Sequence, residues 1–200
     1  MTLLLMDSDP DKDSSFFNDD EEPPSSQGQD LPKVFHSMYE DRPFRCCTSC
    51  GESLEDLEES YQVTKTFHGS EVILEYAVCN PCQQNMLKEL SKESVATLTQ
   101  FQHERSLAPA NDAQLERYQC EFCLNNRDEA IGKNQYFSIA ALCFGIQLID
   151  RPLMVCEPCM LEINEQMSEQ TRGRWRDFVD THFPGVPADS LPSPTSMPVL

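Results

Sequence analysis

Val78-Cys79-Asn80-Pro81-Cys82 and Val155-Cys156-Glu157-Pro158-Cys159 are two copies of one short pattern. Each follows an earlier cysteine pair, Cys47-Thr48-Ser49-Cys50 in one case and Cys120-Glu121-Phe122-Cys123 in the other. The leading pairs are 73 residues apart and the trailing pairs 77, so one unit has been used twice, with about four extra residues in the middle of the second copy. A two-residue spacing lets both sulfurs of a tight turn face one metal ion. A second such pair completes a tetrahedron with metal–sulfur distances of ~2.3 Å. Cys47, Cys50, Cys79 and Cys82 are therefore expected to hold one zinc ion, and Cys120, Cys123, Cys156 and Cys159 a second. Four thiolates also suit iron or an iron–sulfur cluster, which ligand type does not exclude; zinc is the default for duplicated closed sites.

Working outward from the cysteines, Tyr61 to Phe67 and Glu71 to Val78 are β-rich around a His68-Gly69-Ser70 turn, which predicts a two-stranded hairpin with Tyr61, Val63 and Phe67 on one side and polar neighbours between them. In the second copy Tyr136 to Phe144 and Ile146 to Val155 flank Gly145 and are more continuously apolar, so that hairpin is expected to be the more deeply covered, by the other lobe or by a partner. Met86, Leu87, Leu90, Leu98 and Phe101 then fall near helical spacing, as do Leu161, Met167, Trp175, Phe178 and Val179, with Gly173 a candidate interruption. Pro81 and Pro158 suit the first position of a helix, where a missing N–H costs nothing. Each final cysteine then sits in a first helical turn, where the dipole and unpaired N–H donors favour the thiolate.

A knuckle, a hairpin and a helix whose first turn carries the last two ligands resembles the treble-clef zinc finger, over about residues 44 to 105 and 118 to 183. The resemblance implies a small α+β, zinc-stapled fold of two tandem units, with Cys47, Cys50, Cys120 and Cys123 as knuckle ligands and Cys79, Cys82, Cys156 and Cys159 as helix ligands. Gly51 fits the tight turn after the first knuckle, whereas Leu124 stands there in the second and departs from the pattern. Two cysteines remain. The spacing of the other pairs favours Cys47 over Cys46 as the ligand, and Cys143, within an apolar strand, reads as a small buried residue.

The domains follow as an acidic tail (1–30), a first four-cysteine unit (31–110), a second (111–183) and a Pro-rich tail (184–200). Residues 1 to 30 carry nine acids against one lysine, a composition that does not bury enough apolar surface to offset ordering entropy. Phe16 and Phe17 stand out there as a candidate docking pair. No stretch approaches the roughly 20 apolar residues of a membrane span, and Leu3 to Met6 is too short for a signal-peptide core, so the reading is cytoplasmic, with reduced cysteines.

The same residues sort the function classes. Catalytic zinc keeps an open position beside His or carboxylate ligands, and His36, His68, His103 and His182 show no such spacing, so no enzyme is expected. Eight thiolates and two divalent ions would move the formal charge from −19 to about −23, which opposes phosphate binding. Arg172, Arg174 and Arg176 around Trp175 read as a solvated helical face. What remains is a zinc-binding protein-interaction adaptor or regulator, with a nucleic-acid-associated zinc finger and a thiol redox or zinc-release sensor as the alternatives. Lobes of about 60 residues have marginal cores, so loss of metal is expected to unfold them, each lobe melting with its own site.

Overall fold

The computed structural model describes residues 29–105 and 119–185. Expectations for most of the two tails, including Phe16 and Phe17, lie outside these residues. The described chain is a small α+β protein built on an antiparallel sheet. Its strands are β1 (Gln29–Asp30), β2 (Tyr61–His68), β3 (Glu71–Cys79), β4 (Tyr136–Phe144), β5 (Gln147–Leu148) and β6 (Leu153–Cys156). Five α-helices join them: α1 (Asn80–Glu89), α2 (Lys92–Arg105), α3 (Arg127–Gly132), α4 (Glu157–Gln166) and α5 (Glu169–His182). None is long and apolar enough to cross a membrane.

The two units meet strand to strand. β2 pairs antiparallel with β4 over eight residue pairs, from Tyr61 opposite Cys143 to His68 opposite Tyr136. Tyr61 lies opposite Cys79 as Phe137 lies opposite Cys156, so the duplicated units are related by a pseudo-twofold axis through the Thr64–Ala140 pair. β3 and β6 flank the central pair, and Phe67 stacks on Phe137 with ring centroids 4.7 Å apart.

Because β2 is central, the half-solvated alternation expected of the first hairpin does not occur: every residue from Tyr61 to Phe67 is buried. The polar positions are satisfied internally. Gln62 Oε1 accepts from Gln83 Nε2 at 2.8 Å, and the Thr66 and Ser138 hydroxyls meet at 2.8 Å. Lys65 forms a buried 2.8 Å ion pair with its cross-strand neighbour Glu75. Lys65 Nζ also donates to the His36 carbonyl, while Glu75 accepts from the Ser37 hydroxyl and the Met38 N–H at 3.1 and 2.9 Å. The pair thus fastens the loop before the first knuckle to the sheet.

Several expectations are corrected here. The return strand of the second hairpin is split into β5 and β6 by residues 149–152, with a two-residue change of register against β4. Pro152, which has no N–H to give, lies in that break. The second hairpin is not fully covered: Ile139 to Ala141 are buried, but Phe144 and Ile146 are 47 and 64 % exposed. Gln29 and Asp30, assigned to the acidic tail, form β1 on β5. Gly173 interrupts nothing and lies inside α5, while Leu161 is exposed on α4.

The long helix expected in each unit is two helices, broken at Leu90–Ser91 and at Met167–Ser168. Ser91 Oγ accepts from the Ser94 N–H, and Ser168 Oγ from the Thr171 N–H, so each serine caps the second helix of its unit. The two caps touch. Ser91 Oγ donates to Ser94 Oγ at 3.0 Å, Ser94 Oγ to Ser168 Oγ at 3.3 Å, and Ser168 Oγ to Ser91 Oγ at 2.8 Å, a closed ring with Ser94 fully buried.

Past this crossing the helices are exchanged. α2 packs on the other unit, its Phe101 clustering with Ile163 and Met167 of α4. α5 packs back on the first unit, where Trp175 and Phe178 lie against Tyr76 of β3 and Arg174 reaches Glu89 of α1 at 3.7 Å.

A shared central sheet and exchanged helices do not allow one unit to melt alone, contrary to the independent lobes expected above. Cys82→Ser and Cys159→Ser are each expected to give one coincident loss of structure in both units; amide exchange by segment checks this, and protection persisting in either unit would count against it. Removing Lys65 alone (Lys65→Met) strands a buried carboxylate and is expected to cost about 3–5 kcal/mol in urea unfolding, with most of the loss recovered in Lys65→Met/Glu75→Leu.

Candidate metal centres

Each unit brings its four cysteines to one point. Two groups, Cys47/Cys50/Cys79/Cys82 and Cys120/Cys123/Cys156/Cys159, each have all four sulfurs within 4.8 Å of one another. The local structure makes the convergence unavoidable. Cys79 and Cys156 end β3 and β6 and are the N-cap residues of α1 and α4. Cys82 and Cys159 stand three residues on, in the first turn, with Pro81 and Pro158 between them. Neither cap side chain closes a capping hydrogen bond, and the first N–H of α1, that of Asn80, donates instead to the Ser60 carbonyl at 3.0 Å.

The two knuckles are superposable in their bonds. The Cys47 N–H reaches the Glu52 carbonyl, as Cys120 reaches Asn125, both at 2.8 Å. Thr48 N–H docks on Ala77 of β3, as Glu121 docks on Met154 of β6. The backbone N–H of Cys79 points at the Cys47 sulfur at 3.4 Å, and that of Cys156 at the Cys120 sulfur at 3.5 Å. Repetition of the whole set makes the second knuckle equivalent to the first despite Leu124. That residue adopts φ 61°, the left-handed conformation in which Gly51 sits at φ 76°. A side chain at Gly51 would meet nothing within 4 Å, so the conformation and not the space calls for glycine there.

The donor set fits a tetrahedral metal ion. A tetrahedron with metal–sulfur distances of about 2.3 Å has edges of about 3.8 Å. Cys50 and Cys79 sulfurs lie 3.8 Å apart, and those of Cys123 and Cys156 3.4 Å, both far beyond a disulfide bond; all ten cysteines are free. The protonation balance agrees. Burial opposes ionisation of Cys47, but N–H donation from the Cys79, Cys50 and Ser49 backbone outweighs it and lowers the thiol below its ordinary value. Cys79 and Cys82 are pushed up, chiefly by burial. In the second cluster, hydrogen bonds from Cys156 and Cys159 bring Cys120 down to about 2, whereas the bond to Cys120 pushes Cys156 up to about 12 and raises Cys159 as well. In each cluster burial and hydrogen bonding thus favour ionisation of one sulfur and oppose it at two others, and a bound cation would favour the thiolate at all of them.

The remaining candidates are elsewhere. Cys46 is exposed, pairs with Ser53 in a β-bridge beside the knuckle, and is not among the four converging sulfurs. Cys143 is fully buried opposite Tyr61, and burial pushes its thiol up to about 12. His68 stacks on Tyr136 at 4.5 Å, and His103 is exposed on α2. Arg172 and Arg176 both pair with Glu169 and Arg174 with Glu89 and Asp177, so that face is neutralised within and between helices.

One difference inside the repeat went unread in the sequence. Ser49 and Phe122 occupy the same knuckle position, and Phe122 packs edge-on against Phe101 with centroids 4.7 Å apart. Aligning the two CxxC motifs exposes the contrast, but its meaning depends on which helix faces each knuckle.

Leu124 carries its strained conformation at 39 % exposure, with little burial to lose. Leu124→Gly is expected to stabilise the protein by about 1 kcal/mol in denaturant unfolding, the balance of a relieved left-handed penalty against glycine's larger unfolded-state entropy, with metal content unchanged.

Comparison of the chain with protein-family models, with curated proteins and with solved structures finds no match, so the reading of these centres rests on their own geometry.

Proposed function

We propose that the chain is a non-enzymatic zinc protein, a fused pair of treble-clef-like units whose two zinc ions are structural and which acts by binding another protein. Support for zinc comes from the closed, all-sulfur donor set at tetrahedral spacing in a chain whose ten cysteines are all free of disulfides. Four thiolates leave no coordination position for water, which argues against a hydrolytic centre. A formal charge of −19 before metal is counted argues against a nucleic-acid partner.

The observation that carries the interaction reading is the apolar turn between β4 and β6. Phe144, Ile146 and Ile149 are 47, 64 and 50 % exposed within six residues, while the rest of β4 is sunk in the sheet. The turn is held rigidly, since the Tyr61 hydroxyl donates to the Gly145 carbonyl at 2.7 Å and the Leu31 N–H to the Ile146 carbonyl at 2.9 Å. Clustered large apolar side chains on a fixed turn are what an interface anchor requires.

Native mass spectrometry with elemental analysis, on protein purified without added metal, is expected to give two zinc ions per chain. A different metal, or none, overturns the zinc reading. Chelation is expected to unfold the protein, because structural zinc contributes ~10–16 kcal/mol while whole domains are stable by roughly 5–15 kcal/mol. Phe144→Asp/Ile146→Asp is expected to keep two zinc ions and a native circular dichroism spectrum while losing the proteins captured by wild type; unchanged capture would remove this turn as the interface.

A further inference from the structure

The pseudo-twofold axis relates two sites that have been filled differently. In the second unit, the space bounded by the knuckle, α4 and the exchanged helix α2 is closed by Phe122, whose ring meets Phe101 and packs on the cluster that Phe101 forms with Ile163 and Met167. In the first unit the equivalent space lies between the knuckle, α1 and the exchanged helix α5. Here the knuckle residue is Ser49, and an open cleft of about 240 Å³ remains. Its walls include Met86, Leu90, Trp175 and Phe178, with Arg174 at one side. The volume is below the roughly 300–1,000 Å³ of drug-sized sites and suits a single large side chain. Trp175 is buried to 97 %, yet its indole N–H finds no acceptor among the described residues. A buried indole N–H ordinarily has one.

We infer that this cleft is a docking site for the chain's own N-terminal segment, with the Phe16-Phe17 pair supplying the ring that Phe122 supplies in the other unit. The twin site states the chemistry of the occupant, which is an aromatic side chain. A backbone carbonyl beside that ring supplies the acceptor that Trp175 lacks. The segment is within reach. One row of the sheet runs from Gln29 through Leu148, Cys143 and Tyr61 to Cys79, a ligand of the first metal centre. Four inter-strand steps of about 4.8 Å make this about 19 Å. Twelve residue steps lead from Phe17 to Gln29, and a chain of that length spans up to about 40 Å. The contact is independent of the β4–β6 turn, so it stands or falls separately from the partner reading above.

Trp175 is the only tryptophan in the chain, so its fluorescence reports this cleft alone. In the full-length, metal-loaded protein, Phe16→Ala/Phe17→Ala is expected to shift Trp175 emission to the red, to make acrylamide quenching more efficient and to speed amide exchange in α5. A peptide spanning residues 10–24 added to that variant is expected to reverse the shift saturably. Ser49→Phe fills the cleft from the knuckle, and in that background the double alanine variant is expected to leave emission unchanged. No spectral or exchange response to Phe16→Ala/Phe17→Ala overturns the proposal, as does a response that persists unaltered with Ser49→Phe. A response that grows with protein concentration assigns the segment to a second copy and overturns the intrachain contact.

Discussion

The ladder between β2 and β4 holds the two units in one fold. Eight antiparallel pairs run without a break from Tyr61–Cys143 to His68–Tyr136. Each hairpin alone would be a two-stranded element with apolar groups on an open edge, which is marginal in water and prone to pair with whatever strand it meets. Joining the two first strands removes both edges at once. It also places the sequences most in need of cover, Val63 and Phe67 on one side and Phe137 and Ile139 on the other, at the centre of the sheet. Since the paired strands are equivalent members of a repeat, the joint is isologous, and the remaining elements fall symmetrically about it.

Metal and packing then divide the work by position. The four-cysteine clusters lie where strand turns into helix, at Cys79–Cys82 and Cys156–Cys159, and fasten each knuckle to its sheet. The sheet centre is held by burial and by hydrogen bonds that satisfy an unusual number of polar side chains: Thr64, Thr66, Ser138 and Lys65 are each at most 3 % exposed. A buried Lys65–Glu75 pair contributes little net stability against an apolar pair of the same size, but it fixes position. Glu75 receives the Ser37 hydroxyl and the Met38 N–H, so the chain entering the first knuckle has one seat on β3.

The cysteine spacing made the two ligand groups and the strand-to-helix placement of four of them legible, because a CxxC turn and a helix start are local constraints. The hairpins were legible for the same reason, through His68-Gly69-Ser70 and Gly145. What was not legible was non-local. Lys65 and Glu75 read as polar positions on a solvated strand, and only the pairing of β4 against β2 turns them into a buried pair. The helix breaks at Leu90–Ser91 and Met167–Ser168 had a local signal, since Ser91 and Ser168 are good N-caps, but the apolar spacing ran through both and hid it. The two-residue change of register against β4 lies in the break between β5 and β6, where Arg151 bonds Glu121 at 2.6 Å, a contact no periodicity marks.

Exchange of α2 and α5 separates a residue's place in sequence from the environment it completes. Trp175 belongs to the second unit by order, yet it covers β3 of the first; Phe101 belongs to the first and covers α4 of the second. Mutational drift in one copy therefore changes a pocket whose other wall comes from the partner copy. The knuckle position held by Ser49 and Phe122 illustrates the consequence. Phe122 meets Phe101 across the exchange and closes its site, whereas Ser49 faces Trp175 and Phe178 and leaves space. The caps that make the exchange possible, Ser91 and Ser168, hydrogen-bond each other on the axis. Symmetry in the backbone, held there and at the β2–β4 ladder, is what allows the side chains of the two halves to diverge without the fold coming apart.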